Sequence, residues 1–233
     1  CSETVQQIVI PSPFPSDNFC LLISESISTL YRDRHRTKDD VVADILAMVK
    51  QKQGNYLLFF PSYQYMAMIH SLFLSMQPEV KTIIQASGMG KRERDDFLAM
   101  FVHGNHKTLV GFAVMGGVFG EGIDLIGDRL SGVVIVGVGL PGISPEREII
   151  RKYFEKQNRS GFEYAYLYPG INRVLQSAGR LIRSENDRGI ALLVDQRFST
   201  FPYRNLLHRE WNPIRIKEPG QIATAVKRFW GVR

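Results

Sequence analysis

Short runs of β-branched and aromatic residues alternate with amphipathic stretches along almost the whole chain. QQIVIPSPFP, near the start, reads as a short strand stopped by prolines, which lack the N–H a ladder needs. TKDDVVADILAMVKQKQG (37–54) has helical spacing, with Thr37 as N-cap, acids in the first turn and Gly54 at its end. YLLFFP (56–61) is apolar throughout, as a strand covered on both faces must be, and a helix follows from about Ser62 to Met76. Further strands are predicted at 81–85, 107–114, 132–138 and 189–197, with helices over RERDDFLAMFVHG, near 144–158 and over 171–183. The segment after Pro213 reads as a docked helix. Strands that alternate with helical crossovers predict an α/β fold: a doubly wound, mainly parallel sheet with helices on both faces. Ligands of such folds bind where loops leave the carboxyl ends of strands, so the informative residues should follow strands.

Composition adds boundaries rather than detail. At 233 residues and 44% hydrophobic, the chain suits one large domain with a substantial core, or one domain with an appended subdomain. It opens at Cys1, which reads as a fragment of a longer protein. Two cysteines, Cys1 and Cys20, make neither a disulfide framework nor a four-thiolate cluster, which fits a reducing cytoplasm. No apolar run approaches the roughly 20 residues that span a bilayer, so no membrane partner is expected. The net charge of +6 leans toward an anionic partner without choosing one.

Three stretches raise the question of phosphate binding. GMGKRERDD (88–96) lacks the Walker A spacing: Gln85 stands where the first glycine belongs, and Arg92 where Ser or Thr would hold magnesium. It reads as a turn capped into a charged helix. GVGLPG (137–142) matches a dinucleotide fingerprint in letters, but Pro141 interrupts the turn and no acid-ended strand follows. It reads as a strand ending in a tight loop, which counts against a nicotinamide-dependent enzyme. MGGVFGEGIDLIGD (115–128) differs, because glycines that let a backbone approach a ligand precede Glu121 and Asp124 directly after a strand. A structural loop whose acids cap the next segment is the other reading of those residues.

QSAGRLIRS (176–184) holds the densest candidate chemistry. At about 100° per residue, Val174, Ala178, Leu181 and Ile182 form one apolar stripe, while Gln176, Arg180 and Arg183 fall opposite. Two guanidinium forks so close gain from a shared polyanion, since each stays charged and matches phosphate oxygens. A surface helix with solvated arginines is the plain alternative. RDRHR (32–36) is a second basic cluster that could touch DNA, though a solvated loop is the favoured reading.

QSAGRLIRS resembles the motif VI signature of superfamily 2 helicases of the DinG/XPD group. GEGIDLIGDRLSGVVIVGVGLP resembles the group's motif V region, and GNYLLFFPSYQYM (54–66) its motif IV region. The blocks occur in the family's order, GIALLVDQRF follows as its closing strand, and the resemblance covers roughly residues 5–205.

The resemblance implies a RecA-like fold and explains the missing phosphate loop. These helicases pair two such domains around ATP, and the first carries Walker A, DEAH and any iron–sulfur cysteines. This chain therefore looks like the second motor domain over residues 1–212, with 213–233 a tail and the N-terminal motor domain absent. By the same resemblance Arg183 is the arginine finger, Arg180 braces it or contacts phosphate, and Gln176 contacts nucleotide or orients water. Glu121, Gly122, Asp124 and Gly179 would line the ATP site. Magnesium would be held mainly by the other motor domain, and no iron–sulfur cluster is expected in this chain. Ser62, Tyr63 and Gly117 are the implied contacts to single-stranded DNA, with a helix N-cap (Ser62) and a core aromatic (Tyr63) as the alternatives. The implied activity is that of an ATP-dependent 5′–3′ DNA helicase in repair or replication, to which the isolated chain contributes no turnover. A RecA-like module that binds nucleic acid or protein without catalysis is the rival reading.

Overall fold

The computed structural model describes residues 14–117, 119 and 125–232. The expected strand in QQIVI and the site candidates Glu121, Gly122 and Asp124 lie outside them.

Among the described residues seven strands make one sheet: β1 (Phe19–Ser24), β2 (Asn55–Phe60), β3 (Lys81–Ile84), β4 (Leu109–Val114), β5 (Gly132–Val136), β6 (Gly189–Val194) and β7 (Ile214–Ile216). Their order is β3-β4-β2-β5-β6-β1-β7, and every pairing is parallel. The helices are α1 (Arg34–Val49), α2 (Tyr63–Met76), α3 (Lys91–Ala99), α4 (Pro145–Lys156), α5 (Tyr168–Ala178), the one-turn α6 (Tyr203–Leu206) and α7 (Pro219–Trp230).

The two-residue period of a strand divides the core into two layers. Leu22, Leu58, Phe60, Val134, Leu192 and Val194 point to one face, where α1, α2 and α7 cover them with Val41, Ile45, Ile69, Phe73, Ile222 and Val226. Their sequence neighbours Ile23, Leu57, Phe59, Val133, Ile135 and Leu193 point to the other, against Phe97 of α3 and Ile171, Val174 and Ala178 of α5. Central strands buried on both sides cannot alternate apolar with polar, which is why these segments read as continuous hydrophobic runs.

Several elements depart from the sequence reading. FCLLIS (19–24), to which the sequence reading assigns no element, is β1, which sits between β6 and the edge strand β7. Thr37 does not cap α1, which begins a turn earlier at Arg34. Its buried hydroxyl instead donates to the carbonyls of Ser28 (2.9 Å) and Asp33 (3.1 Å). RDRHR is not a loop: Arg32 and Asp33 close a 3-10 turn, and Arg34 opens α1. Beyond Pro213 the chain supplies the strand β7 as well as the expected docked helix, so the sheet continues across that point.

Candidate nucleotide and nucleic-acid site

Helix α5 is entered through a π-helical turn, Glu163–Leu167, and carries Gln176 on its exposed side. It stops at Ala178, with Gly179 as its exposed C-cap, so Arg180 and Arg183 do not ride on the helical face that the spacing predicted. They occupy a turn between α5 and β6, each half-buried. Two interactions stop the helix. Leu181 tucks against Gly189 at the start of β6, where a Cβ would lie 2.7 Å from its Cδ2. The N–H of Arg183, which would otherwise point back to the carbonyl of Gly179, donates to the Asp187 carboxylate at 2.7 Å.

Asp187 anchors this turn. Only 3% exposed, it also accepts the backbone N–H of Ser184 at 2.8 Å and of Gly127 at 3.0 Å. Burial works against its charge, but the N–H groups of Arg183, Ser184 and Gly127 outweigh that and hold its carboxyl below the usual range. Gly127, at φ +70°, lies just ahead of β5, so one carboxylate ties that point of the chain to the arginine turn. Sequence reasoning passed over Asp187. The available signal was its place four residues after Arg183, where a short acid can cap successive N–H groups.

The turn precedes β6, and Gly127 precedes β5, so both lie toward the amino ends of their strands. The expectation that the informative residues would follow strands fails for Arg180 and Arg183. It holds for Ser62, Tyr63 and Gly117, which follow β2 and β4.

At that carboxyl edge Ser62 caps α2, its Oγ accepting from the N–H of Tyr65 at 3.3 Å. Tyr63 is 38% exposed rather than a core aromatic. Its hydroxyl accepts from Gln85 Nε2 at 3.0 Å, while Gln85 Oε1 accepts from the N–H of Val114 at 2.8 Å. Gln85 is buried and thus joins the ends of β2, β3 and β4 just where Gly117 turns back, its N–H 3.4 Å from the Val114 carbonyl. Arg173 of α5 packs on Gly116, whose φ of +68° and lack of a Cβ both suit that approach. Gln85 and Arg173 were not singled out from the sequence.

The two rejected phosphate loops behave as read. Gly90 caps α3, its N–H donating to Glu93 Oε2 at 2.7 Å. Gly137 and Gly139, at φ +87° and +69°, turn the chain sharply after β5, and Gly139 abuts the carbonyl of Gly170.

Residues 45–214 match a protein family described as the helicase C-terminal domain. The chain belongs to that family. This helicase C-terminal domain is similar to a probable ATP-dependent helicase of Methanocaldococcus jannaschii, 27% identical over 84% of the chain and 32% of the relative. It is also similar to the ATP-dependent DNA helicase XPD of Sulfolobus acidocaldarius, 30% identical over 70% of the chain and 28% of the relative. Among solved structures an XPD helicase superposes with a TM-score of 0.68 at 25% identity, over 85% of the chain and 35% of that structure. The fold is RecA-like, and the chain spans about a third of the length of these relatives.

Proposed function

We propose that this domain is the second motor domain of an ATP-dependent DNA helicase of the XPD and DinG type, working against an N-terminal motor domain of the same polypeptide. The observation that carries the reading is the arginine turn. Arg180 and Arg183 stand together at the end of α5, beside exposed Gln176 and Gly179, on a backbone fixed by Asp187.

In this reading Arg183 reaches the γ-phosphate of ATP bound between the two motor domains and stabilises the charge that develops during transfer. Such a group is worth about 10³–10⁵ in rate. Arg180 contacts phosphate or braces the finger, and Gln176 contacts nucleotide or orients the attacking water. Gly179 leaves the helix end open to close approach, and Glu121, Gly122 and Asp124 line the same cleft. Magnesium is held mainly by the N-terminal motor domain, and any iron–sulfur cluster lies outside this chain. Single-stranded DNA passes over the carboxyl edge of the sheet at Ser62, Tyr63 and Gly117, gripped without reading of sequence. Translocation runs 5′ to 3′ in the service of repair or replication, in the cytoplasm.

The test compares the full-length protein with this chain alone in a DNA-stimulated ATPase assay. Turnover by the full-length protein and none by the isolated chain is the expected result. Turnover by the isolated chain contradicts the reading. A full-length protein that binds DNA but never hydrolyses ATP makes this a binding module instead.

A further inference from the structure

The basic run at 32–36 has no part in the reading above, yet one of its residues is built into the carboxyl edge of the sheet. The Arg34 guanidinium lies over the ring of Tyr65 at 4.5 Å and beside that of Tyr31 at 5.4 Å, with Nε donating to the Thr29 carbonyl at 3.3 Å. Facing it is Arg197, which follows β6 and donates through Nε and Nη2 to the two oxygens of Asp195, each at 2.8 Å. Asp195 is fully buried and also accepts from the N–H and hydroxyl of Thr29. Both arginines line one cavity of about 120 Å³, together with Thr29, Tyr31, Pro61 and Gly139.

Charge bookkeeping leaves this cavity one cation in excess. Asp195 balances Arg197, and Asp33 is taken up by the Ser28 hydroxyl and by Arg36 at 3.4 Å. Arg34 has aromatic faces and a carbonyl for company but no carboxylate among the described residues. Burial, and with it the like charge of Arg197, pulls the Arg34 guanidinium below its ordinary range, a strain that a shared anion would relieve. The cavity is far smaller than the roughly 300 Å³ at which pockets enclose drug-sized ligands, so it suits a phosphoryl group rather than a nucleoside. Pro61, on its wall, immediately precedes Ser62. Tyr31, 75% exposed at the rim, offers a ring face to a base.

We propose that Arg34 and Arg197 hold one backbone phosphate of a single nucleic-acid strand in this cavity, while Tyr31 stacks on an adjoining base. The proposal rests on the strand path read above at Ser62, Tyr63 and Gly117, and extends it across the ends of β5 and β6. Arg197 is pre-aimed by its Asp195 fork, and Arg34 supplies the unbalanced charge.

The test measures binding of fluorescein-labelled (dT)20 to the full-length protein by anisotropy across a salt series. Arg34→Gln should weaken binding about 10-fold and flatten the slope of log K against log salt by about 0.7, the loss of one phosphate contact. Tyr31→Ala should weaken binding about 5-fold with the slope unchanged, because stacking releases no counterion. Should Arg34→Gln fail to fold, as read from its melting curve, the exposed Tyr31→Ala decides alone. Wild-type affinity and slope in the folded variants overturn the proposal but leave the Ser62 path standing. A wild-type protein that binds no (dT)20 overturns both. Stabilisation by inorganic phosphate at constant ionic strength, lost in Arg34→Gln while (dT)20 binding is unchanged, assigns the cavity to free phosphate and also overturns it.

Discussion

The carboxylate of Asp187 lies 2.7 Å from the backbone nitrogen of Arg183, and its second oxygen takes the N–H of Gly127 at 3.0 Å. A buried acid with no part in the chemistry proposed here thus fixes the arginine turn against Gly127, just ahead of β5.

Asp187→Ala is expected to leave buried N–H groups unsatisfied and to destabilise the domain by about 2–3 kcal/mol, read from chemical denaturation. In the full-length protein the kcat for ATP should fall at least 10-fold while affinity for single-stranded DNA is retained. Because the folded-state carboxyl is held below its unfolded value, its contribution is present above the unfolded pKa and is lost as pH falls through the folded one. The acid limb of a stability–pH curve should therefore be shallower in Asp187→Asn than in wild type below about pH 4.

Asp44 makes the opposite case. It sits on α1, 3% exposed, and burial pushes its carboxyl up to about 6 despite a hydrogen bond with Ser24. A raised carboxyl binds its proton more tightly in the folded state, so stability falls as pH rises between about 4 and 6 and stays low above that. Asp44→Asn should raise the Tm at pH 8 by about 3–8 °C and change it little at pH 4.5.

Gln85 connects strand ends that the strand path requires. Gln85→Ala removes the donor to Tyr63 and the acceptor for Val114, so Tyr63 loses its orientation. Binding of single-stranded DNA is expected to weaken about 10-fold, with more DNA needed for half-maximal ATPase stimulation and little change in the KM for ATP. Unchanged DNA affinity in a folded Gln85→Ala protein removes Tyr63 from the path.

Polarity has its own readout. Duplexes with a single-stranded tail on one end only are expected to be unwound when the tail is 5′ and not when it is 3′. Preferential unwinding from the 3′ tail contradicts the assigned direction.

What the sequence made legible follows from where local and long-range forces agree. YLLFF and GIALLV are buried on both faces, and their continuous apolar runs name them as strands without help from any partner. Ser62 reads as a cap because a strand, a serine and an amphipathic helix follow one another directly. FCLLIS is equally apolar, but its five hydrophobic residues lie between a polar turn and a serine-rich loop. Only pairing with the distant β6 and β7 makes it a strand. At the arginine turn helical spacing misleads, since Leu181 and Ile182 keep the period while the backbone has left it. Leu181 is buried against Gly189, and Asp187 has taken the N–H groups that would continue the helix. The Arg34 cavity was unreadable for a related reason: its residues come from 29–34, 61, 137–140 and 197, and only the parallel sheet brings those strand ends together.

The most direct measurement is DNA-stimulated ATPase of the full-length protein carrying Arg183→Ala or Arg180→Ala, with folding and DNA binding checked alongside. The account predicts a loss of about 10³ in turnover for the finger, Arg183, and a substantial loss for Arg180, with DNA affinity kept in both. Two folded variants that hydrolyse ATP at the wild-type rate would contradict it.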